Sequence, residues 1–470
     1  MKPIFLTAAA ALLLSSCAVG PDYKRPALPI PESYRAPQPL PLQQAASIAD
    51  LKWFEVFHDE QLNVLMLTAL KHNYDLREAV TRVEQARANL GITRSNQYPQ
   101  VGASAALEFT RLSRGGQTPL PESFVKEQNR NWGEASLNLL SFEVDLWGRL
   151  RRATEASRAN LLGAEENRKA VVTTLVSDVA TNYFNLLQLD YELEISRRTL
   201  DTRRQSLTLV QQRQNGGIAT LLDLRQAEQL VASAAQTIPV LEQQVEQTEN
   251  QISLLTGSRP AGVTRGRTFT EQQLPPDTPP GLPSSLLERR PDIRAAEQNL
   301  VAANANIGVA KAAYFPQLSL SGLLGGQSTQ LANLFSGPRS TWSFVPQLSQ
   351  PIFTAGRLKN GVRLARAESD QALVQYEKTI ATAFTEVSNS LVARQRTRES
   401  RIEQERLVTA LEDRKRLAYL RYRGGVDTQL NALDADRDLF QAELSLAQIR
   451  LNELLSVVQL YKALGGGWQL

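Results

Sequence analysis

Three side chains in the 470-residue sequence stand out for the chemistry they could perform: the single cysteine, Cys17, and the two histidines, His58 and His72. A lone thiol cannot form a disulfide within one chain. Cys17 follows small residues in Leu14-Ser15-Ser16-Cys17, at the end of an apolar run from Ile4 to Leu14 preceded by Lys2. That layout is an export signal, and the run is too short to span a bilayer. Two readings fit it. In one, residues 1–16 are a lipoprotein signal peptide and cleavage makes Cys17 the N-terminus, carrying diacylglycerol and a palmitate-type N-acyl chain. In the other, an ordinary secretory signal contains an incidental cysteine, and Ala18 suits either. The histidines fall in a leading helix with no cysteine partner and no metal-ligand spacing, and no glycine loop is built to cradle a phosphate. The residues therefore point to no enzyme, no cofactor and no metal site.

Charge narrows the partners. The 52 basic and 48 acidic residues are interleaved, leaving a formal +4, which does not make a nucleic-acid face. Beyond the signal no apolar run reaches the roughly 18 residues of a transmembrane helix, so any membrane crossing must use strands.

The elements that would position functional residues emerge when the two halves are compared. Tyr74-Asp75-Leu76-Arg77 recurs as Pro291-Asp292-Ile293-Arg294, Gly91 as Gly308, and Tyr98-Pro99-Gln100 as Phe315-Pro316-Gln317, all at an offset of 217. Gly148-Arg149 recurs as Gly356-Arg357, Gly216-Gly217 as Gly424-Gly425, and Gly257 as Gly465, at an offset of 208. One unit is used twice, the second copy being nine residues shorter between Gln100 and Gly148. The chain divides into the signal (1–16), an extended N-terminal segment (17–50), a first repeat (51–257), a connector (258–283) and a second repeat (284–470). Each repeat reads as helix, β-hairpin (about 98–146 and 315–354) and long helical hairpin (about 149–257 and 356–464).

Val101, Ala103, Ala105, Leu107 and Phe109 alternate with Gly102, Ser104, Glu108 and Thr110, and Leu318, Leu320 and Leu324 repeat the pattern. Return strands are expected near Trp132–Phe142 and Trp342–Phe353, the latter tolerating Pro346 and Pro351 only at an edge or bulge. No proline interrupts the chain between Pro121 and Pro239 or after Pro351. Val172, Val179, Leu186, Leu193, Leu200 and Leu207 recur every seventh residue, a coiled-coil seam. The second copy keeps Ile380, Val387 and Val408 but places Arg394, Arg401 and Lys415 in that row, so its packing must differ. Residues 149–214, helical throughout, would extend about 99 Å at ~1.5 Å per residue. Pro239, where the second copy has Ala447, should kink the returning helix.

Strands of about ten residues with this alternation have the length and pattern of a membrane barrel, and Phe109, Trp132, Trp342 and Phe344 could supply its aromatic belts. Four strands per chain fall short of the eight in the smallest single-chain barrels, so the chain must assemble with itself. At the far ends of the helical pairs, Gly216-Gly217 and Gly424-Gly425 can take left-handed caps behind Arg213 and Arg421. Thr220 with Asp223 forms a capping-box pattern.

Several segments in order resemble the TolC-type outer membrane factors, most closely the lipoprotein branch serving tripartite, RND-type drug-efflux pumps. They are Cys17-Ala18-Val19-Gly20-Pro21-Asp22-Tyr23-Lys24-Arg25-Pro26, the Trp53-Phe54 segment with Asp59 and Leu62, Arg421-Tyr422-Arg423-Gly424-Gly425-Val426, Leu433-Asp434-Ala435, and Tyr461-Lys462-Ala463-Leu464-Gly465-Gly466-Gly467-Trp468. The resemblance covers essentially the whole mature chain. It implies a mixed α and β fold: a homotrimer whose subunits give four strands each to one outer-membrane β-barrel, continuous with a periplasmic α-helical barrel. It further implies a passive conduit for drugs and other small molecules, closed at rest by the inner helical pairs. A periplasmic adaptor coupled to a proton-driven inner-membrane transporter would open it.

Carried over by position, the resemblance makes Tyr422, Asp434 and Arg437 the periplasmic gate; Asp434 and Arg437 are three apart on one helix face. Asp436 could add negative charge to a ring. The first copy has Gln214, Gln226 and Gln229 at the equivalent positions, which suggests that only the second hairpin gates. The adaptor would dock on the tips, at Gly216, Gly217, Thr220, Gly424, Gly425 and Thr428. Two other functions remain open: a channel of the same fold for protein secretion or metal export, and a non-channel coiled-coil lipoprotein of the periplasm.

Overall fold

Alternating apolar residues and unbroken heptads become strands and long helices in the computed structural model, which describes residues 18–29, 31, 33–36, 47–111, 129–273 and 283–468. The helices are α1 (Trp53–Val56), α2 (Glu60–His72), α3 (Tyr74–Ser95), α4 (Arg149–Asn215), α5 (Leu221–Leu255), α6 (Leu286–Arg289), α7 (Pro291–Ala312), α8 (Arg357–Arg423) and α9 (Gln429–Ala463). The strands are β1 (Val101–Arg111), β2 (Asn129–Val144), β3 (Gln317–Ser328) and β4 (Ser340–Ser349). Helices α4 and α8 each have 67 residues, and α5 and α9 each have 35. Helix α5 runs through Pro239 without ending. The residues group into two units: Met1–Pro26, Val83–Ala164 and Ala296–Tyr376 in the first, and Ala27–Arg82, Glu165–Ala295 and Glu377–Leu470 in the second.

In the first unit the strands form one antiparallel sheet in the order β1-β2-β3-β4. Val101 pairs with Leu139, Leu139 with Gly322, and Gln317 with Ser349, with an irregularity in β2 between Leu139 and Phe142. Pro346 lies opposite Leu320 on the edge strand β4, where its missing N–H leaves no inner ladder incomplete. Strand β4 stops at Ser349, short of the expected Phe353. Pro351 cannot continue the ladder, and the chain turns into α8 through Ala355 (φ 49°) and Gly356 (φ 84°). Near the strand-to-helix turns, Ala156 and Ala159 of α4 pack on Ala302 and Ala305 of α7, four small residues that let the helices approach closely.

The N-terminal segment is strapped onto these helices. Val19 N–H donates to the Trp147 carbonyl (2.9 Å), and the Arg152 guanidinium, 6% exposed, holds Asp22 at 2.7 Å. Tyr23 and Arg25 both bond Glu297 of α7. Gly20 sits against Gly308 so tightly that a Cβ on Gly20 would stand 2.5 Å from the Gly308 Cα.

In the second unit the heptad row of α4 is the core: Val179 and Leu186 are fully buried, and Leu193 and Leu200 nearly so. Two charged residues in the matching row of α8, Arg401 and Lys415, reach across to acids on α9. Arg401 meets Glu453 at 2.6 Å and Lys415 meets Asp436 at 2.6 Å, both acids buried. The second hairpin thus has ionic layers where the first has Leu193 and Leu207. The described part of the connector is pinned by a fully buried carboxylate, Asp59. It caps α2 through the Gln61 and Leu62 amides and accepts from the Tyr183 hydroxyl, the Arg267 amide and Gln272 Nε2. Burial pushes the Tyr183 hydroxyl well above its ordinary range, so it remains a donor to Asp59. Arg265 extends the pinning, bonding Asp190 of α4 at 2.7 Å and also Glu249 of α5.

Candidate functional site

The two hairpin tips are built alike and finished differently. Gly217 (φ 73°) and Gly425 (φ 74°) take the left-handed conformation, and the amides of Ile218 and Val426 return to the carbonyls of Arg213 and Arg421. Each thereby satisfies an orphan carbonyl at the end of a 67-residue helix. At the first tip the capping box closes: Thr220 Oγ1 accepts from the Asp223 amide (3.2 Å) while Asp223 Oδ2 accepts from the Thr220 amide (2.8 Å). At the second tip Thr428 makes no side-chain cap. Asp427 accepts there instead from Asn431, Arg421 and the Thr428 amide, which hold its carboxyl below the usual range. Gly216, Gly424, Thr220 and Thr428 are exposed, as are the apolar Ile218, Leu221, Leu222, Val426 and Leu430 around them.

Of the three candidate gate residues, Asp434 and Arg437 meet within the subunit and Tyr422 has other partners. Tyr422 is buried; the Arg213 guanidinium lies 4.7 Å from its ring centroid, and its hydroxyl donates to Gln429 Oε1 (3.3 Å). Gln429 Nε2 donates in turn to the Asp223 carbonyl (3.2 Å), tying the second tip to the first. Asp434 and Arg437 pair at 3.2 Å on an open face of α9, with side chains 35% and 57% exposed. Arg437 also reaches Asp438, which Arg414 holds at 2.7 Å. Asp436 does not join that charged face. It is 1% exposed and turned inward onto Arg203 and Lys415, because it occupies the apolar stripe Ala432, Asp436, Leu439 of α9. That stripe was the signal for its burial, whereas nothing in the heptad pattern marks Arg203 as its companion, or Arg213 and Gln429 as those of Tyr422. Cys17 lies outside the described residues; Ala18, its neighbour, touches Gly148 at the β2-to-α4 turn.

This arrangement of four strands and two long helical hairpins agrees with what the chain resembles. A family profile described as "Outer membrane efflux protein" matches residues 65–258 and 282–466. The chain belongs to the outer membrane efflux protein family. The toluene efflux pump outer membrane protein TtgC of Pseudomonas putida is 38% identical over 471 residues, covering 99% of this chain and 96% of the relative. The cation efflux system protein CusC of Escherichia coli is 35% identical over 461 residues, covering 98% and 97%. The crystal structure of the open state of the Neisseria gonorrhoeae MtrE outer membrane channel superposes with a TM-score of 0.86 at 31% identity, covering 96% of this chain and 99% of that one. The family consists of outer-membrane channel proteins, and the protein is the outer-membrane component of an efflux system.

Proposed function

We propose that three copies of this chain close a twelve-stranded outer-membrane barrel, continuous with a periplasmic helical barrel, through which small organic molecules leave passively. The observation that carries this is the four-stranded sheet, with β1 and β4 as its two edges and side chains exposed along both of them. A lone sheet of this kind leaves edge N–H and C=O groups that a bilayer cannot satisfy, and closure with neighbouring copies removes them. Cys17 carries diacylglycerol and a palmitate-type N-acyl chain, anchoring the subunit to outer-membrane lipid. The exposed apolar tips receive the periplasmic adaptor, which connects the channel to a proton-driven transporter of the RND type. Relatives named for toluene and for cation efflux share the fold, so cargo is chosen mainly by that transporter; we take drugs and related organic molecules as the cargo.

Tyr422, Asp434 and Arg437 hold the periplasmic end closed. Within one subunit the exposed Asp434–Arg437 pair is worth under ~1 kcal/mol, so its closing force comes from contacts with a neighbouring subunit. The test is single-channel conductance of the purified protein in planar bilayers, wild type beside Asp434→Ala/Arg437→Ala. Small wild-type currents that rise about tenfold or more in the variant are expected. Unchanged current would reject the gate residues, and absence of conductance in inserted trimers would reject the channel reading.

A further inference from the structure

We propose that Lys359, Arg363 and Arg366 on the outward face of α8, with Ile352 and Phe353 above them, bind anionic phospholipid headgroups in the inner leaflet of the outer membrane. The site rests on the barrel reading above, which puts the end of β4 at the periplasmic surface of the membrane. Between Ser349, where β4 ends, and Glu368 the chain carries the cations Arg357, Lys359, Arg363 and Arg366 and no acid. Lys359, Arg363 and Arg366 are spaced four and three apart, so they share one stripe of α8, beside the buried Val362 and Ala365. All three are exposed, and none has an ion-pair partner among the described residues.

In the first copy the matching cations are answered inside the subunit. At the offset of 208, Arg149 and Arg151 of α4 correspond to Arg357 and Lys359. Arg149 holds Glu143 at 2.5 Å, Arg151 holds Asp145 at 3.4 Å, and Arg152 holds Glu155 at 2.8 Å. In the second copy Pro351, Phe353 and Arg363 stand where those three acids were. Two cations are thus kept without their acids, and the third acid has become a cation. Like charges this close repel one another, a cost that a negatively charged surface outside the subunit removes.

Position and apolar content identify that surface as lipid. Ile352 and Phe353, 91% and 88% exposed, directly precede the cations, and apolar side chains laid open beside a basic stripe suit a membrane interface. Lys359 to Arg366 covers about 10 Å of helix at ~1.5 Å per residue. A headgroup layer of roughly 5–8 Å is within reach, because long cationic side chains extend toward phosphate while their stems lie along the helix. The stripe also faces outward. On α4 the N-terminal strap lies over Gly148 and Arg152, with Ala18 against the first and Asp22 on the second. Gly356 and Asn360 are their counterparts on α8, and Arg363, in the place of Glu155, continues that side. The next acid on it, Asp370, lies a turn beyond Arg366, away from the sheet.

The trimer, purified in non-ionic detergent, is titrated with dioleoylphosphatidylglycerol or dioleoylphosphatidylcholine, and bound lipids are counted by native mass spectrometry. At about 5-fold per cation near an anionic headgroup, wild type is expected to favour phosphatidylglycerol about 100-fold. Lys359→Gln/Arg363→Gln/Arg366→Gln should bring the ratio close to one. Arg396→Gln/Arg406→Gln/Arg416→Gln, the same loss of charge further along α8, should leave it unchanged. Ile352→Ser/Phe353→Ser should weaken both lipids and keep the preference. Should the α8 triple variant fail to assemble, Arg363→Glu, which restores the acid of the first copy, is read in its place, with a fall of about 30-fold expected. A wild-type ratio within about threefold of one, or an equal fall in the control variant, would overturn the headgroup site. If the α8 triple variant keeps the preference and its trimers come apart instead, the cations answer a neighbouring subunit and the site fails. Single-channel conductance separates this from the barrel reading. Conducting trimers without the lipid preference would keep the barrel and reject the site, whereas a preference abolished by the α8 variant in trimers that never conduct would keep the lipid surface and reject the barrel.

Discussion

Asp59→Ala is expected to free the connector from the helices it crosses. The carboxylate is 1% exposed and accepts from five groups: the Gln61 amide (2.9 Å), the Leu62 amide (3.1 Å), the Tyr183 hydroxyl (3.1 Å), the Arg267 amide (3.2 Å) and Gln272 Nε2 (2.9 Å). Loss of the cap on α2 costs about 1 kcal/mol. Stranding the buried Tyr183 hydroxyl costs about 1–3 kcal/mol more. The Arg267 and Gln272 donors are partly exposed and recover much of their loss in water, which brings the total to about 4 kcal/mol. Asp59→Asn keeps an effective cap but turns a donor toward the Arg267 and Gln272 donors, so about 2 kcal/mol is expected. Thermal unfolding of the detergent-solubilised protein gives the order wild type, Asn, Ala, and trypsin mapping should show faster cleavage after Arg265 and Arg267 in the same order. An alanine variant within about 1 kcal/mol of wild type, with those arginines still protected, would refute the assignment of Asp59 as the residue that holds the connector.

Gly308→Ala should lift the N-terminal strap, because the new Cβ would stand 2.7 Å from the Val19 carbonyl oxygen and 2.9 Å from Arg152 Cγ. A loss of about 1–3 kcal/mol and faster proteolysis before Arg25 are expected, the latter followed by N-terminal sequencing of the fragments. Burial raises the Glu192 carboxyl to about 7. Its folded pKa lies above the unfolded value, so its contribution favours low pH and stability should fall as pH rises from about 4.5 to 7. The side chain is partly exposed, and solvent screening brings that fall to about 1 kcal/mol per subunit; Glu192→Gln should flatten it in unfolding measured across that range.

Much of this fold was legible residue by residue. A seven-residue period in α4 requires one buried face whatever surrounds it, and Val179 and Leu186 lie on that face. Gly217 and Gly425 were readable as left-handed caps because only glycine takes that conformation without strain, and Thr220 with Asp223 as a capping box because both bonds are local. Asp434 and Arg437 were readable as neighbours because three residues on a helix bring side chains together. Local rules reach no further than about one turn, and the remaining contacts join residues far apart in the chain. That Asp436 turns away from the charged face, that Arg203 meets it across 233 positions, and that Arg213 covers Tyr422 were decided by how the helices pack. The end of β4 at Ser349 was set by pairing with β3, and the role of Asp59 by a connector 208 residues away. Periodicity states which face of an element is buried; which partner that face meets, and whether a charge on it is answered, depends on the free energy of the assembled core and so belongs to the tertiary structure alone.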